Sequence, residues 1–531
     1  MVVGGALLTA PTSHADVPSP YFATSGEGSD PHMIRCTDPS TGTNGYCLYT
    51  SVDMGQSYNY PDGCEEPGGA DCANWYPMEQ TKLYYSTNGY SSWTDKGAVF
   101  HENTLETAGW VPSNAYHLWA PAALFDGSYY QLFIPDVEDV STDAAPNIHT
   151  SSRIAVARAT SPFGPYTYQG LVDDAGEYMS DPHAFFDGTN RVILWANGDF
   201  STCGGFSAAQ VESDWRTTVD ESIVEVNISG VEALGSCDPD GSAGPIGRPY
   251  MEGASVYKVG STFHMYFAVK PDDGPDSGTA DDIPKQCTSA VGGPNSTNSV
   301  IAWATSSSYS GTYTYKGVIM CGSTTEWTNQ ATISTATNGR QIIVFHDAGS
   351  GSDSKKRNLH AECLFTNGTI TAVVYPQAQN VANGFDACMA GTNADYWGLH
   401  AKDPDYPSHP TIIRAPSGGT AAKADRYAVG PHERFKIESL GGGIYAIKAL
   451  SNSKYLCTPD SSTAVTASCT STSDTGSTWG RTSVTGGGYR FQSRANSKYL
   501  SVAGNQQLYA SATGTSTAAV FNFLYAGGKS N

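Results

Sequence analysis

Charged side chains are scarce in this chain of 531 residues, where they make up 15% of the sequence. Only 29 Lys and Arg stand against 51 Asp and Glu, which gives a formal net charge of −22. The sequence has no basic stripe that could neutralise phosphates, and this argues against nucleic acid as a partner. It also has no run of 18 apolar residues, so no segment is predicted to span a membrane. No long window keeps a helical period, and the chain is therefore predicted to be nearly all-β.

Twelve cysteines are present, and no two of them have the CxxC spacing that would favour a metal site. An even count with short spacings instead predicts disulfides and an oxidising compartment. The simplest pairing joins sequential neighbours: Cys36/Cys47, Cys64/Cys72, Cys203/Cys237, Cys287/Cys321, Cys363/Cys388 and Cys457/Cys469. The apolar run VVGGALL, followed by SHA, resembles the end of an export signal over residues 1–15, with a disordered tail as the alternative. We therefore expect a secreted, extracellular protein.

A first repeat extends over residues 16–400. Five predicted strand cores have an aromatic centre, with spacings of 84, 62, 72 and 78 residues, and several follow a Gly turn. These centres are Tyr49, Phe133, Trp195, Phe267 and Phe345. Five recurring hairpins predict a five-bladed β-propeller. A sandwich with long insertions is the alternative, but it would not explain why the same hairpin recurs.

A second repeat predicts a β-trefoil over residues 408–531. The string NSKYL occurs at 452–456 and again at 496–500, a spacing of 44 residues. Phe435, Trp479 and Phe523 are also 44 residues apart. Three such units, each with an aromatic residue near its end, are typical of a trefoil. Residues 394–410, rich in Pro and Asp, are predicted to be the linker.

Three isolated acids begin the first strands of their units: Asp30 in SDPHMI, Asp181 in SDPHAFFDG and Glu252 in PYMEGAS. Trp119 in HLWAP is predicted to hold the same place in the second unit. First strands line the channel of a propeller, so these four residues should converge at one mouth, where neighbouring carboxylates split their pKa values. An Asp before Pro is often only a turn residue, and Trp119 is either a sugar platform or a packing residue. Two DPH strings in register with the other motifs favour a functional site.

The stretch 28–375 resembles glycoside hydrolase family 43, the five-bladed propeller family of arabinanases, arabinofuranosidases and xylosidases. The resemblance rests on the order and spacing of SDPHMI, HLWAPAALFDGSYYQLF, SDPHAFFDGTNRVILW, PYMEGASVYKVGSTFHMYF, IVFHDAG and KKRNLHAECLFTNGTITAVV. It implies that Asp30 is the general base, that Glu252 is the general acid, and that Asp181 raises the pKa of the acid and orients it. Arg357 matches a substrate-contacting arginine, and His346 matches a histidine near a central calcium site. His346 could equally be a satisfied core histidine.

The resemblance implies inverting hydrolysis that releases arabinose or xylose units from plant cell-wall polysaccharide. No cofactor is required for that chemistry, and a structural calcium in the channel is a candidate. An inverting pair needs room for a water molecule, so we expect the carboxyl groups of Asp30 and Glu252 to lie roughly 6.5–9.5 Å apart. The long segments 54–80 and 271–298 are predicted to narrow the site to a pocket for one terminal sugar. We expect a monomer.

Other functions stay open at this point. Exo-acting galactan hydrolases share the family propeller, although some of them lack the aspartate base. A non-catalytic, lectin-like propeller would be expected to lack at least one of the three acids. Relatives acting on fructans usually carry a WxNDPxG-type segment, and SGEGSDPHMI lacks the Trp and the Asn. The trefoil resembles fascin-like and ricin-like sugar-binding modules, but repeated QxW is absent, so a purely structural role is the alternative to carbohydrate binding.

Overall fold

The structure is a computed structural model. It describes residues 28–53, 78–89, 93–101, 104, 118–138, 151–173, 178–198, 203–235, 248–271, 284–289, 299–322, 330–337, 341–347, 357–366, 371–372, 396–401, 411–416, 419–485, 487–516 and 519–524. The predicted export signal, Cys64, Cys72 and most of the segments 54–80 and 271–298 lie outside these residues. In the part of the chain that is described, no helix is long and apolar enough to cross a membrane.

Five antiparallel sheets, which we call blades 1 to 5, follow one another along the chain. Blade 1 contains β1 (Ser29–Thr37), β2 (Asn44–Asp53), β3 (Met78–Ser86) and β4 (Thr94–His101). Blade 2 contains β5 (Ala122–Phe125), β6 (Tyr130–Glu138), β7 (Ser151–Ala159) and β8 (Thr167–Leu171). Blade 3 contains β9 (Ser180–Asp187), β10 (Asn190–Ala196), β11 (Phe206–Val211) and β12 (Val224–Val226). Blade 4 contains β14 (Tyr250–Val259), β15 (Thr262–Lys270), β16 (Val300–Ser306) and β17 (Tyr313–Met320), with β13 (Ile228–Ser229) added in parallel at its outer edge. Blade 5 contains β18 (Ala331–Thr335), β19 (Gln341–Asp347) and β20 (Asn358–Cys363).

The first full strand of each blade forms the inner ring of a propeller. Strands β1, β5, β9, β14 and β18 each contact the next, and β18 contacts β1, so the ring closes after five blades. Each seam between adjacent blades has its own apolar core, including the seam between blades 5 and 1. The prediction of a five-bladed propeller is confirmed.

The aromatic centres found in the sequence lie on the second strand of their hairpins and are buried. Tyr49, Phe133 and Trp195 are 0% exposed, Phe267 is 1% exposed and Phe345 is 3% exposed. A strand covered on both faces by neighbouring blades carries apolar residues without strict alternation. Burying one such side chain contributes about 1.5–3 kcal/mol. The recurrence of these strand cores in the sequence therefore reflects the packing of blade against blade.

A 12-stranded sheet, β21 to β32, forms the trefoil. Its strands are β21 (Tyr396–Ala401), β22 (Thr411–Arg414), β23 (Lys423–Arg426), β24 (Arg434–Gly441), β25 (Ile444–Ala449), β26 (Tyr455–Cys457), β27 (Thr466–Cys469), β28 (Thr478–Ser483), β29 (Tyr489–Ser493), β30 (Tyr499–Val502), β31 (Leu508–Ala512) and β32 (Phe521–Leu524). Phe435, Trp479 and Phe523, which are spaced by 44 residues in the sequence, all lie in its apolar core. The prediction of an all-β chain with a C-terminal trefoil is confirmed.

The trefoil begins earlier than the repeats indicated. Strand β21, which falls in the predicted linker 394–410, pairs with β22, β24 and β32 inside the trefoil sheet. Its residues form a barrel strand because Leu399 and Ala401 point into the trefoil core. Neither NSKYL string has a counterpart in this first unit, which explains why the sequence repeat missed its start.

Three of the predicted disulfides join described cysteines: Cys36–Cys47, Cys287–Cys321 and Cys457–Cys469. Cys203 and Cys363 are also disulfide-bonded, while their predicted partners, Cys237 and Cys388, lie outside the described residues. The prediction of local disulfides is confirmed for the three complete pairs.

Candidate active site

The inner strands carry an unusual backbone at one mouth of the channel. Asp30 has a φ of 49°, Ala120 of 34°, Asp181 of 48° and Gly253 of 60°. For a residue with a Cβ this left-handed conformation costs about 1–2 kcal/mol, and Asp bears it better than most. The same left-handed conformation in four blades identifies these residues as structurally equivalent positions.

The pairing of the strands supports that equivalence. The register shifts between Ser29 and His32 in β1 and between Glu252 and Ser255 in β14. In β9 a matching shift separates Ser180, paired with Ala196, from His183, paired with Leu194. Glu252 therefore occupies the place of Ser29 and Ser180, one residue before the aspartate position. By the same φ pattern Trp119 lies one residue before Ala120, which is the place of Glu252, and its part in the site stays a prediction.

Asp30 is buried, with 6% of its surface exposed, and it is bonded to blade 5. Arg357 Nη1 donates to Oδ1 and Arg357 Nη2 donates to Oδ2, both at 3.3 Å. The backbone N–H of Asp30 donates to His346 Nδ1 at 3.0 Å. The carboxylate at this position is therefore held by a guanidinium fork, which is the geometry suited to an ionised oxygen pair.

Arg357 is held more closely by a second acid, Asp53, at the end of β2. Asp53 accepts from Arg357 Nε at 3.0 Å, from Nη2 at 2.9 Å and from the Arg357 backbone N–H at 2.8 Å. Ser29 Oγ accepts from Arg357 Nη2 at 2.8 Å and donates to Asp53 Oδ1 at 3.3 Å. Arg357 is only 4% exposed, so one buried cation serves two carboxylates. Its predicted contact with substrate stays a prediction.

Glu252 is partly buried at the same mouth. Enclosure by the blades raises the pKa of Glu252 to about 7, a value that also includes an upward effect of the Asp30 charge and a downward effect of a hydrogen bond from the Tyr250 hydroxyl. That bond, from Tyr250 Oη to Glu252 Oε2, is 2.9 Å long. A carboxyl group with such a pKa retains its proton for much of the time at neutral pH, which suits a general acid.

Asp181 completes the set of acids. Burial raises the pKa of Asp181 well above its usual range, and the charges of Glu252 and Asp30 add to the effect. Its Oδ2 accepts the backbone N–H of Gly253 at 3.1 Å, which ties blade 3 to blade 4 beside Glu252. The Gly253 contact places Asp181 beside Glu252, and the charge of Asp30 acts on both, so the three predicted acids lie near one another. Because Glu252 and Asp181 interact, they titrate as a pair.

His32 and His183 lie deeper in the channel, with ring centroids 5.1 Å apart. His32 Nε2 lies 3.0 Å from the carbonyl of Ala123, and His183 Nε2 lies 2.9 Å from the carbonyl of Val256. Burial lowers the pKa of His32 to about 3 and that of His183 to about 4, so both rings are neutral at pH 7. Each donates a hydrogen bond to the neighbouring blade, which gives the DPH strings a part in blade contact.

His346 is 1% exposed and lies beside Asp30. Its Nδ1 lone pair accepts the Asp30 N–H, so this nitrogen is not available as a metal ligand. Among the described residues, no group of three or more His, Cys, Asp or Glu side chains could hold a metal ion. The described geometry therefore makes His346 a hydrogen-bonding partner of Asp30, and the candidate calcium stays a prediction.

Comparison with known proteins gives one family match. Residues 431–517 match the model described as ricin-type beta-trefoil lectin domain-like. The trefoil is of the ricin type. No curated protein matches the chain.

The solved structures that resemble the chain include glycoside hydrolases of family 43, which is the family that the propeller motifs predicted. The GH43_1 enzyme from Xanthomonas citri, complexed with xylose, has a TM-score of 0.46 and 17% identity, and covers 67% of this chain and 92% of its own. CoXyl43, a beta-xylosidase/alpha-arabinofuranosidase from a compost microbial metagenome, has a TM-score of 0.46 and 19% identity. The match covers 66% of this chain and 95% of the CoXyl43 chain. The exo-beta-1,3-galactanase 1,3Gal43A from Clostridium thermocellum has a TM-score of 0.43 and 12% identity. The match covers 94% of this chain and 96% of the galactanase chain. At these identities no residue role is transferred, and the fold rests on the strand pairing above.

Sequence reasoning missed two residues of the site, Asp53 and Tyr250. Tyr250 stands two residues before Glu252 in the string PYMEGAS, but the motif gave it no role. Asp53 lies in TSVDMG, which carries no motif, and it meets Arg357 across 304 residues of sequence. Only the closure of blade 5 against blade 1 brings that pair together.

Proposed function

We propose that the propeller hydrolyses glycosidic bonds with inversion and releases arabinose or xylose units from plant cell-wall polysaccharide. The observation that carries the proposal is the meeting of Asp30, Asp181 and Glu252 at one channel mouth, with unequal environments. Asp30 accepts a guanidinium fork, whereas Glu252 has its pKa raised to about 7. Two acids whose environments differ in this way are the equipment for acid and base catalysis without a cofactor.

In the proposed reaction Asp30 takes a proton from a water molecule while the oxygen of that water attacks the anomeric carbon. Glu252 gives its proton to the glycosidic oxygen as the bond between that oxygen and the anomeric carbon breaks. Asp181, fixed by the Gly253 amide, orients and tunes the acid. At the anomeric carbon the bond to the water oxygen forms as the bond to the glycosidic oxygen breaks, in a single step, so the anomeric configuration inverts.

The decisive experiment assays the full chain on aryl α-L-arabinofuranoside, β-D-xyloside and β-D-galactoside, with the first-formed anomer read by NMR. We expect turnover of the arabinoside or the xyloside with inversion, and loss of turnover in Asp30→Asn. Retention would exclude the single-step mechanism, and turnover of the galactoside alone would assign the chain to galactan hydrolysis. A wild-type chain that binds these sugars without turning any of them over would be a non-catalytic propeller.

We also propose that the trefoil binds polysaccharide and that the protein works outside the cell. The ricin-type match over residues 431–517 supports the first point, and the three disulfides support an oxidising compartment. Affinity electrophoresis of the full-length Glu252→Gln variant in gels containing xylan, arabinan or galactan tests binding without hydrolysis. Unretarded migration in all three gels would leave the trefoil a structural role.

A further inference from the structure

We propose that Asp53 is a positioning residue for the base side of the reaction, acting on Asp30 through Arg357. The inference rests on the proposed function, in which Asp30 activates water. Asp53 acts through Arg357 because its buried carboxylate bonds both the guanidinium and the backbone N–H of that residue. Each hydrogen bond described for the Asp53 carboxylate comes from Arg357 or Ser29.

The distances show which acid fixes the guanidinium. Asp53 accepts from the Arg357 side chain at 2.9 and 3.0 Å, whereas both contacts from Arg357 to Asp30 are 3.3 Å. Asp53 also holds the Arg357 backbone N–H at 2.8 Å, so it fixes the main chain and the side chain together. Charge-assisted bonds of the shorter kind are the stronger ones. Asp53 therefore determines where the guanidinium stands, and Asp30 takes its position from it.

The charge of Asp53 has a second consequence. Arg357 carries one positive charge, which it divides between two buried carboxylates. Without Asp53 more of that charge would act on Asp30, and the guanidinium would be free to close on it. A carboxylate clamped by an unshared guanidinium is a weaker proton acceptor and is displaced from the water it must activate. Asp53 thus keeps Asp30 oriented and still basic.

The trefoil offers a matched control. Asp425 accepts from Arg414 Nε at 3.1 Å and from Arg414 Nη2 at 2.7 Å, which is the same side-on fork that Asp53 makes with Arg357. Asp425→Asn removes the same charge from the same geometry in another domain. It should cost less stability than Asp53→Asn, because the Arg414–Asp425 pair is more exposed than the Arg357–Asp53 pair, and it should leave turnover unchanged.

The test compares Asp53→Asn, Asp425→Asn and wild type as full chains, by steady-state kinetics and crystallography. Asp53→Asn should lower kcat on the order of 100-fold while changing KM much less, because a misplaced group costs turnover rather than binding. The loss should be equal on aryl glycosides with good and poor leaving groups, since the base serves both alike. In the crystal structure, Asp30 and the Arg357 guanidinium should move by about 0.5 Å or more.

Several results would overturn the inference. It fails if Asp30 and Arg357 keep their positions in crystals of Asp53→Asn, or if Asp425→Asn lowers kcat as much. It also fails if the loss depends on the leaving group. Should Asp53→Asn not fold, Ser29→Ala tests the same link, because Ser29 Oγ joins Asp53 to Arg357; unchanged kcat and geometry there would also refute it. A wild type inactive on the whole panel would instead refute the proposed function, and the crystal comparison would still decide the role of Asp53.

Discussion

The hydrogen bond from Tyr250 to Glu252 allows a quantitative prediction about pH. The Tyr250 hydroxyl donates to Glu252 Oε2 at 2.9 Å and lowers the pKa of that carboxyl group, against the larger effect of enclosure. Tyr250→Phe removes this donor and keeps the ring. Because the bond favours the ionised form, its loss must raise the pKa of Glu252 above about 7.

The magnitude follows from the strength of such bonds. A hydrogen bond to a charged group is worth about 1.5–3 kcal/mol, and one pKa unit corresponds to about 1.36 kcal/mol. Glu252 is partly exposed, and its protonated form can also accept from the hydroxyl, so we expect the lower end of that range. The pKa of Glu252 should rise by roughly one unit.

The assay is the pH dependence of kcat/KM, measured from about pH 5 to about pH 10 on a glycoside with a poor leaving group. The acid must be protonated to act, so the basic limb of the profile should move from near pH 7 to near pH 8 in Tyr250→Phe. Tyr257→Phe is the control, because Tyr257 lies on the same strand but bonds to Thr332 and Ile333. A limb that stays in place in Tyr250→Phe, or moves to lower pH, would refute this reading of the site.

Three further changes test other parts of the molecule. Glu252→Gln should lower kcat about 100- to 10,000-fold on glycosides with poor leaving groups and spare activated aryl glycosides; equal losses would remove Glu252 from the acid role. Gly253→Ala should lower both Tm and kcat, because its φ of 60° suits glycine and the new carbon would lie 2.8 Å from Gln330 Cγ; calorimetry showing an unchanged Tm would contradict this. Burial raises the pKa of Glu433 to about 7, so the folded chain keeps a proton that the unfolded chain releases above its ordinary pKa. Urea unfolding should therefore show stability falling from about pH 5 to about pH 8 in wild type and a weaker fall in Glu433→Gln, and equal slopes would oppose this.

The sequence predicts the two folds because both are repetitive. Blade packing requires an aromatic or apolar centre on the second strand of each hairpin, and Tyr49 and Trp195 mark it. The trefoil repeats Phe435 and Trp479 for the same reason. The start of the trefoil was missed because β21 belongs to a unit that lacks the NSKYL string. Periodicity thus predicts the units that repeat, whereas a divergent unit such as the first one of the trefoil is found only in the structure.

The acids themselves were predictable from the sequence, but their exact places in the strands were not. Asp30, Asp181 and Glu252 stand out as acids beginning apolar strands, and channel geometry brings such strand starts together. Their register was not predictable. A bulge near each strand start gives the left-handed conformation to Asp30 and Asp181, but in β14 it gives that conformation to the residue after Glu252. A bulge leaves no side-chain pattern in the sequence when the residues around it are Ser, Asp and Gly.

That shift of one residue has a chemical consequence. The two aspartates take the left-handed position, and each is bonded to a neighbouring blade: Asp30 donates its N–H to His346, and the Asp181 carboxylate accepts from the Gly253 amide. Glu252 stands one residue earlier, ahead of Gly253, and is partly exposed, with a side chain longer by one methylene. A group that must protonate a leaving oxygen needs reach and access, whereas a base and a tuning acid need fixed positions. The bulge therefore separates the proposed acid, Glu252, from the two aspartates by its place in the strand.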